Sequence, residues 1–118
     1  MQASAFEATV HDEERRALIR LEGDLDGNAR ERLAAAYEEA AVLQPSFVVL
    51  DFTRVGYINS TGIAAIVGVL ARARAEQRDI SAFGLSDHYR EIFQITRLAD
   101  FVHIYPNEES ALAASATS

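Results

Sequence analysis

Apolar and polar positions along this chain change period several times, and each change marks an element. Ala5 to Val10 is a short run carrying Phe6 and Val10, and the polar cluster His11, Asp12, Glu13, Glu14 follows it. Ala17, Ile19 and Leu21 then alternate with Leu18, Arg20 and Glu22. Two period-two runs around a polar break predict an antiparallel hairpin. Gly23, Asp24, Leu25, Asp26 and Gly27 predict a loop, with Asp26 or Asn28 available as a helix cap. Leu33, Ala36, Tyr37 and Ala40 recur at helical spacing and give a first helix that ends near Pro45.

Phe47, Val48, Val49 and Leu50 are continuously apolar, as in a strand covered on both faces of a parallel sheet, and a loop from Asp51 to Asn59 is expected after them. Ile63, Ile66, Val67 and Leu70 form the stripe of a second helix, with Arg72, Arg74 and Arg78 toward the negative end of its dipole. Ile80 to Leu85 predicts a strand, and Ser86 caps a third helix with Tyr89, Ile92, Phe93 and Thr96 inward. Phe101 to Tyr105 predicts a last strand closed by Pro106. Asn107, Glu108 and Glu109 then open a short helix through Ala111, Leu112 and Ala113. Residues 1–4 and 115–118 are expected to fray. The order ββαβαβαβα predicts an α/β fold: a mainly parallel sheet of about five strands with right-handed crossovers, one antiparallel edge strand and four helices.

A chain of 118 residues that is 49% hydrophobic builds one core, so a single domain spanning 1–118 is expected. With no cysteine, neither disulfides nor thiolate metal sites can staple it. The start lacks the basic and apolar segments of a secretory signal, and no run approaches the roughly 20 apolar residues that span a bilayer. The expected location is the cytoplasm, without membrane insertion. A net charge of -7 disfavours nucleic acid and anionic lipid as partners. All eleven basic residues are Arg. Without Lys, neither a Walker A loop nor a protein kinase site can be assembled, so the chain is better suited to receive a phosphate than to transfer one.

In such a fold, the loops leaving the carboxyl ends of parallel strands are where partners meet the domain. Two stand out here, Gly23 to Gly27 and Val55 to Gly62. Ser60 falls where the second helix wants an N-cap, its hydroxyl positioned to accept from first-turn N–H groups. Capping alone accounts for most serines at helix starts. The neighbours add to it: Asn59, Thr61 and Gly62 are small or polar, and Tyr57 and Ile58 offer apolar contact to a partner. A phosphate on Ser60 would add about -1.5 to -2 charges at the positive end of a helix, which the fold tolerates. The same charge buried unpaired beneath a partner costs several kcal/mol, where about 1.4 kcal/mol is tenfold in affinity.

The run from Leu50 to Ile63, LDFTRVGYINSTGI, resembles the signature of the STAS domain family, the sulphate transporter and anti-sigma factor antagonist domains. That pattern is a buried strand, a hydrophobic loop, then Asp-Ser-Ser/Thr-Gly-Leu opening a helix. Leu21 to Asp26 resembles the family's earlier strand and acidic loop, and the element order agrees from residue 5 to about 114.

The resemblance implies an anti-sigma factor antagonist with no catalytic activity and no cofactor, a monomer when free. It implies that Ser60 is phosphorylated by an anti-sigma factor of the histidine-kinase-like serine kinase type, with Thr61 as second choice for the acceptor. Unphosphorylated protein would bind that kinase and free the sigma factor; a serine phosphatase would reset the cycle. The implied contact residues are Asp24, Asp26, Tyr57, Ile58, Asn59, Thr61 and Gly62. Asn59 departs from the family's usual Asp, keeping its hydrogen-bonding shape without its charge.

Other chemistries fit less well. A receiver domain would use Asp51 at the end of a central strand, but it also needs a Lys. A serine hydrolase elbow, Gly-x-Ser-x-Gly, needs a small residue where Ile58 stands, and His11, His88 and His103 form no metal-ligand spacing. The nearer alternative on the same fold is an unphosphorylated STAS adaptor subunit of a lipid-transport or stress-sensing complex.

Overall fold

The computed structural model describes residues 6–13 and 15–116. Its elements are β1 (Glu7–Glu13), β2 (Arg16–Leu25), a 3-10 turn at Gly27–Ala29, α1 (Arg30–Val42), β3 (Phe47–Ile58), α2 (Ser60–Ala75), β4 (Asp79–Phe83), α3 (Asp87–Ile95), a second 3-10 turn at Leu98–Asp100, β5 (His103–Tyr105) and α4 (Glu108–Ala116). The strands form one five-stranded sheet in chain order, with β1 antiparallel to β2 and every later pair parallel. The expected order and sheet are therefore observed among the described residues, where no helix is long and apolar enough to cross a membrane.

The alternation in β2 divides the two faces. Ala17, Ile19 and Leu21 point into the main core with Val48 and Leu50 of β3, Leu33, Ala36 and Tyr37 of α1, and Ile66, Val69 and Leu70 of α2. Phe93 of α3 joins them, meeting Phe52 edge-on with ring centroids 6.1 Å apart. On the other face Leu18, Val49 and Phe83 are closed by Ala111 and Leu112 of α4. The continuous apolar run of β3 reflects this burial on both sides.

Several boundaries differ from expectation. Both loops predicted after the central strands are largely strand: β2 continues to Leu25 and β3 to Ile58, paired parallel through Asp24↔Tyr57 and Leu25↔Ile58. β4 pairs with β3 only as far as Asp51, so beyond that point β2 and β3 run on as a two-stranded ribbon. Polar side chains and glycines disguised it, because cross-strand pairing overrides weak intrinsic preference.

At the N-terminal hairpin, His11, Asp12 and Glu13 belong to β1 rather than to a turn; Ala5 and Glu14 lie outside the described residues. Phe101 and Val102 precede β5 instead of opening it. Thr96 is exposed at the end of α3, its hydroxyl donating to the Ile92 carbonyl at 2.7 Å, instead of facing inward. Ser115 and Ala116 continue α4, while residues 1–4, 117 and 118 lie outside the described residues.

Candidate functional site

The β2–β3 ribbon ends beside the start of α2, and three contacts fix the junction. The Asn59 N–H donates to the Leu25 carbonyl at 3.2 Å, tying the end of β3 to the end of β2. Asn59 Oδ1 accepts from the Gly62 N–H at 2.8 Å, and the Asn59 carbonyl accepts from Ile63 at 2.9 Å. Asn59 is thus the N-cap, in extended backbone, and Ser60 is the first helical residue. This corrects the expectation that Ser60 caps α2. Asn and Ser are nearly equal as caps, so sequence alone does not choose between neighbours. With Asn59 holding the cap, the exposed Ser60 is spared that structural task.

Gly62 is required by close approach. A Cβ there would stand 1.9 Å from the Leu25 carbonyl oxygen and 3.2 Å from Ile58 Cγ2. Ile58, expected as an apolar contact for a partner, is instead buried in the main core at 6% exposure. It is an anchor under the site, and its neighbour Tyr57, 54% exposed, is the apolar residue at the surface. Gly62 is likewise buried.

The acidic segment shares this end of the molecule. Asp24 pairs in register with Tyr57. Asp26 caps the 3-10 turn by accepting from the Asn28 N–H at 2.9 Å. Gly27, the next residue, faces Thr61: a Cβ on Gly27 would lie 3.4 Å from Thr61 Cγ2. The structure therefore gathers Asp24, Asp26, Tyr57, Asn59, Ser60 and Thr61 at one edge.

Tyr89 is a site residue that sequence reasoning assigned only to packing. Its hydroxyl accepts from the Ile58 N–H at 2.9 Å, so α3 satisfies the donor at the end of β3. No local signal marks this contact, which joins residues 31 apart. Asp51 is remote from phosphoacceptor chemistry: at 6% exposure it accepts from Arg20 at 2.7 Å and from the Thr53 N–H at 2.8 Å. Arg20 also donates to Glu108, and this hydrogen bond is the leading reason its guanidinium holds its proton more tightly than usual. The cluster ties α4 to the sheet. Among the described residues no group of three or more His, Cys, Asp or Glu is arranged to hold a metal.

This architecture, with the exposed start of α2 at one edge, is shared with known proteins. The family pattern described as "Mlab, STAS domain" matches residues 8–104. The chain belongs to the STAS domain family. It is of the anti-sigma factor antagonist type: an anti-sigma-B factor antagonist from Listeria monocytogenes is 33% identical over 82 residues, covering 70% of this chain and 72% of that protein.

Solved structures agree on the fold. An anti-sigma factor antagonist from Mycobacterium paratuberculosis superposes with a TM-score of 0.81 at 18% identity, over 96% of this chain and 97% of that one. The Bacillus cell fate determinant SpoIIAA in its phosphorylated form gives 0.70 at 23% identity, over 94% and 99%. In this STAS domain the Asn-Ser-Thr-Gly run at the start of α2 presents two adjacent exposed hydroxyl residues, Ser60 and Thr61.

Proposed function

We propose that this STAS domain is a phosphorylation-switched binding module rather than an enzyme, and that Ser60 carries the switch. Unphosphorylated, it binds an anti-sigma factor of the histidine-kinase-like serine kinase type through Asp24, Asp26, Tyr57 and the Asn59 to Thr61 segment, releasing a sigma factor. The kinase then modifies Ser60, and a serine phosphatase restores the binding form. The observation that carries this reading is the exposed Ser60 at the first position of α2, relieved of capping by Asn59.

The physics is asymmetric. In the free protein a phosphate at the first turn of α2 meets N–H groups that lack intrahelical acceptors and the positive end of the dipole, so the fold bears it. Beneath a partner the same dianion, on the edge that also carries Asp24 and Asp26, must be desolvated. An unpaired buried ion costs several kcal/mol, enough to dissociate a complex. Asp24 and Asp26 suit a basic partner surface, which explains how a chain of net charge -7 acts on transcription through a protein.

The test is calorimetry against a serine-kinase anti-sigma factor from the same genome. Wild type and Ser60→Ala are expected to bind, and Ser60→Asp to bind at least tenfold more weakly. Equal binding by all three would sink the switch. Asn59, neutral where the family usually has Asp, favours a second reading as an unphosphorylated adaptor of a lipid-transport or stress-sensing complex. That reading predicts no phosphate incorporation with any such kinase.

A further inference from the structure

The C-terminal half of α2 carries a surface at the opposite end of the helix from Ser60. Val67, Leu70, Ala71, Leu98 and Phe101 line an open groove of about 220 Å³ between α2 and the turn at Leu98–Asp100, with Arg74 at its end. Two of its residues are large and half-exposed: Val67 at 43% and Phe101 at 48%. The Arg74 guanidinium lies over the Phe101 ring, 5.1 Å from its centroid. Among the described residues Arg74 has no ion pair, whereas Arg72 is held by Glu38 and Glu76. The acid on the adjoining turn, Asp100, is taken by Arg97 at 2.9 Å. An apolar trough that ends in a cation without a counter-ion is therefore complementary to an apolar stripe that ends in a carboxylate.

The adjoining wall supplies the shape. Gly68 is exposed beside Val67, and a Cβ there would meet nothing within 4 Å. Glycine weakens a helix interior relative to alanine, and no neighbour in this chain requires it. Its effect is to let another backbone approach α2 closely, as packed helices do.

We infer that this groove docks an amphipathic helix of another protein, which sets apolar residues against Val67 and Phe101 and a carboxylate against Arg74. A second copy of this chain is a poorer occupant, because α2 contains no acidic residue to offer Arg74 when packed on itself. The docking is independent of the switch. Arg74 lies fourteen residues beyond Ser60 along α2, about 21 Å at 1.5 Å per residue. That exceeds two Debye lengths of about 8 Å at physiological salt, so charge on Ser60 is screened from the groove.

The experiment titrates the ¹⁵N-labelled full chain with a synthetic amphipathic peptide of about four helical turns, carrying a Leu stripe and a terminal Glu pair, and with a twin carrying Lys for Glu. Shifts centred on Val67, Gly68, Ala71 and Phe101, with the acidic peptide bound roughly threefold or more tightly, are expected. Arg74→Glu should invert the preference, Gly68→Leu should abolish binding, and Ser60→Asp should change neither peptide's affinity. Circular dichroism checks that each variant is folded. No perturbation of the groove at millimolar peptide, equal binding of both peptides, or a preference unmoved by Arg74→Glu would overturn the inference. So would groove signals that move with protein concentration alone, which would assign the surface to self-association.

Discussion

Gly62 and Ser60 lie two residues apart and face opposite demands. At Gly62 a methyl group would collide with the Leu25 carbonyl, so Gly62→Ala must push the ribbon away from α2. Overpacking of this kind costs roughly 1–3 kcal/mol, and chemical denaturation should report a loss in that range. At Ser60 the side chain meets solvent, and Ser60→Asp places a carboxylate in the first turn, where the dipole favours it. Its melting temperature should match or slightly exceed that of wild type even as binding falls; a strong loss of stability would mean that the hydroxyl is structural after all. The candidate serine was legible because Asn-Ser-Thr-Gly precedes a helical stripe. Which residue capped the helix was not, since Asn59 and Ser60 are comparable caps, and neither was the inward turn of Ile58, which depends on packing across the sheet.

Among the elements, α2 was legible as a helix, but its inward face is shifted from the expected stripe: Ile66 and Leu70 are buried, Ile63 is partly buried, and Val67 is exposed while Ala65, Val69 and Ala73 face the core. β3 was half legible: its apolar half announced itself, while the half running to Ile58 looked like a loop and is strand only because β2 pairs with it. Two predictions belong at this scale. Gly68→Ala should stabilise the domain by about 0.5–1 kcal/mol, visible as a melting temperature a few degrees higher, since its added methyl meets open space.

The second concerns the junction between α1 and the end of α2. The Tyr37 hydroxyl donates to Glu76 at 2.7 Å, and Arg72 and Arg78 also contact that carboxylate. Chiefly through the Tyr37 bond, the Glu76 carboxyl is held below its ordinary 4.5. Burial, followed by this bond, pushes the Tyr37 hydroxyl up. A depressed carboxyl stabilises the fold fully above its ordinary value and loses that contribution as pH falls through the lower folded one. Glu76→Gln should therefore melt below wild type at pH 7, with the gap closing as the pH is taken below 4.5; a gap constant with pH would show that the charge is not what matters.

For the whole molecule, the order of elements and the mixed sheet followed from alternating periods and short connections, which leave few topologies. The polar network of Arg20, Asp51 and Glu108 was invisible beforehand, because it joins β2, β3 and α4 across the second face. α4 covers Leu18, Val49 and Phe83, with Tyr105 of β5 packed beside it. Removing residues 107–118 should cost on the order of 3–5 kcal/mol by exposing that apolar face, with binding of a hydrophobic dye rising in parallel. The main core and the Ser60 edge lie on the other elements, so the truncated domain should retain any switch it has. That switch is tested most directly by incubating the full chain with ATP and a serine-kinase anti-sigma factor from the same genome, then mapping the product by mass spectrometry. One phosphoryl group on Ser60, absent from Ser60→Ala, is the predicted result; no incorporation, or incorporation that persists in Ser60→Ala, would contradict it.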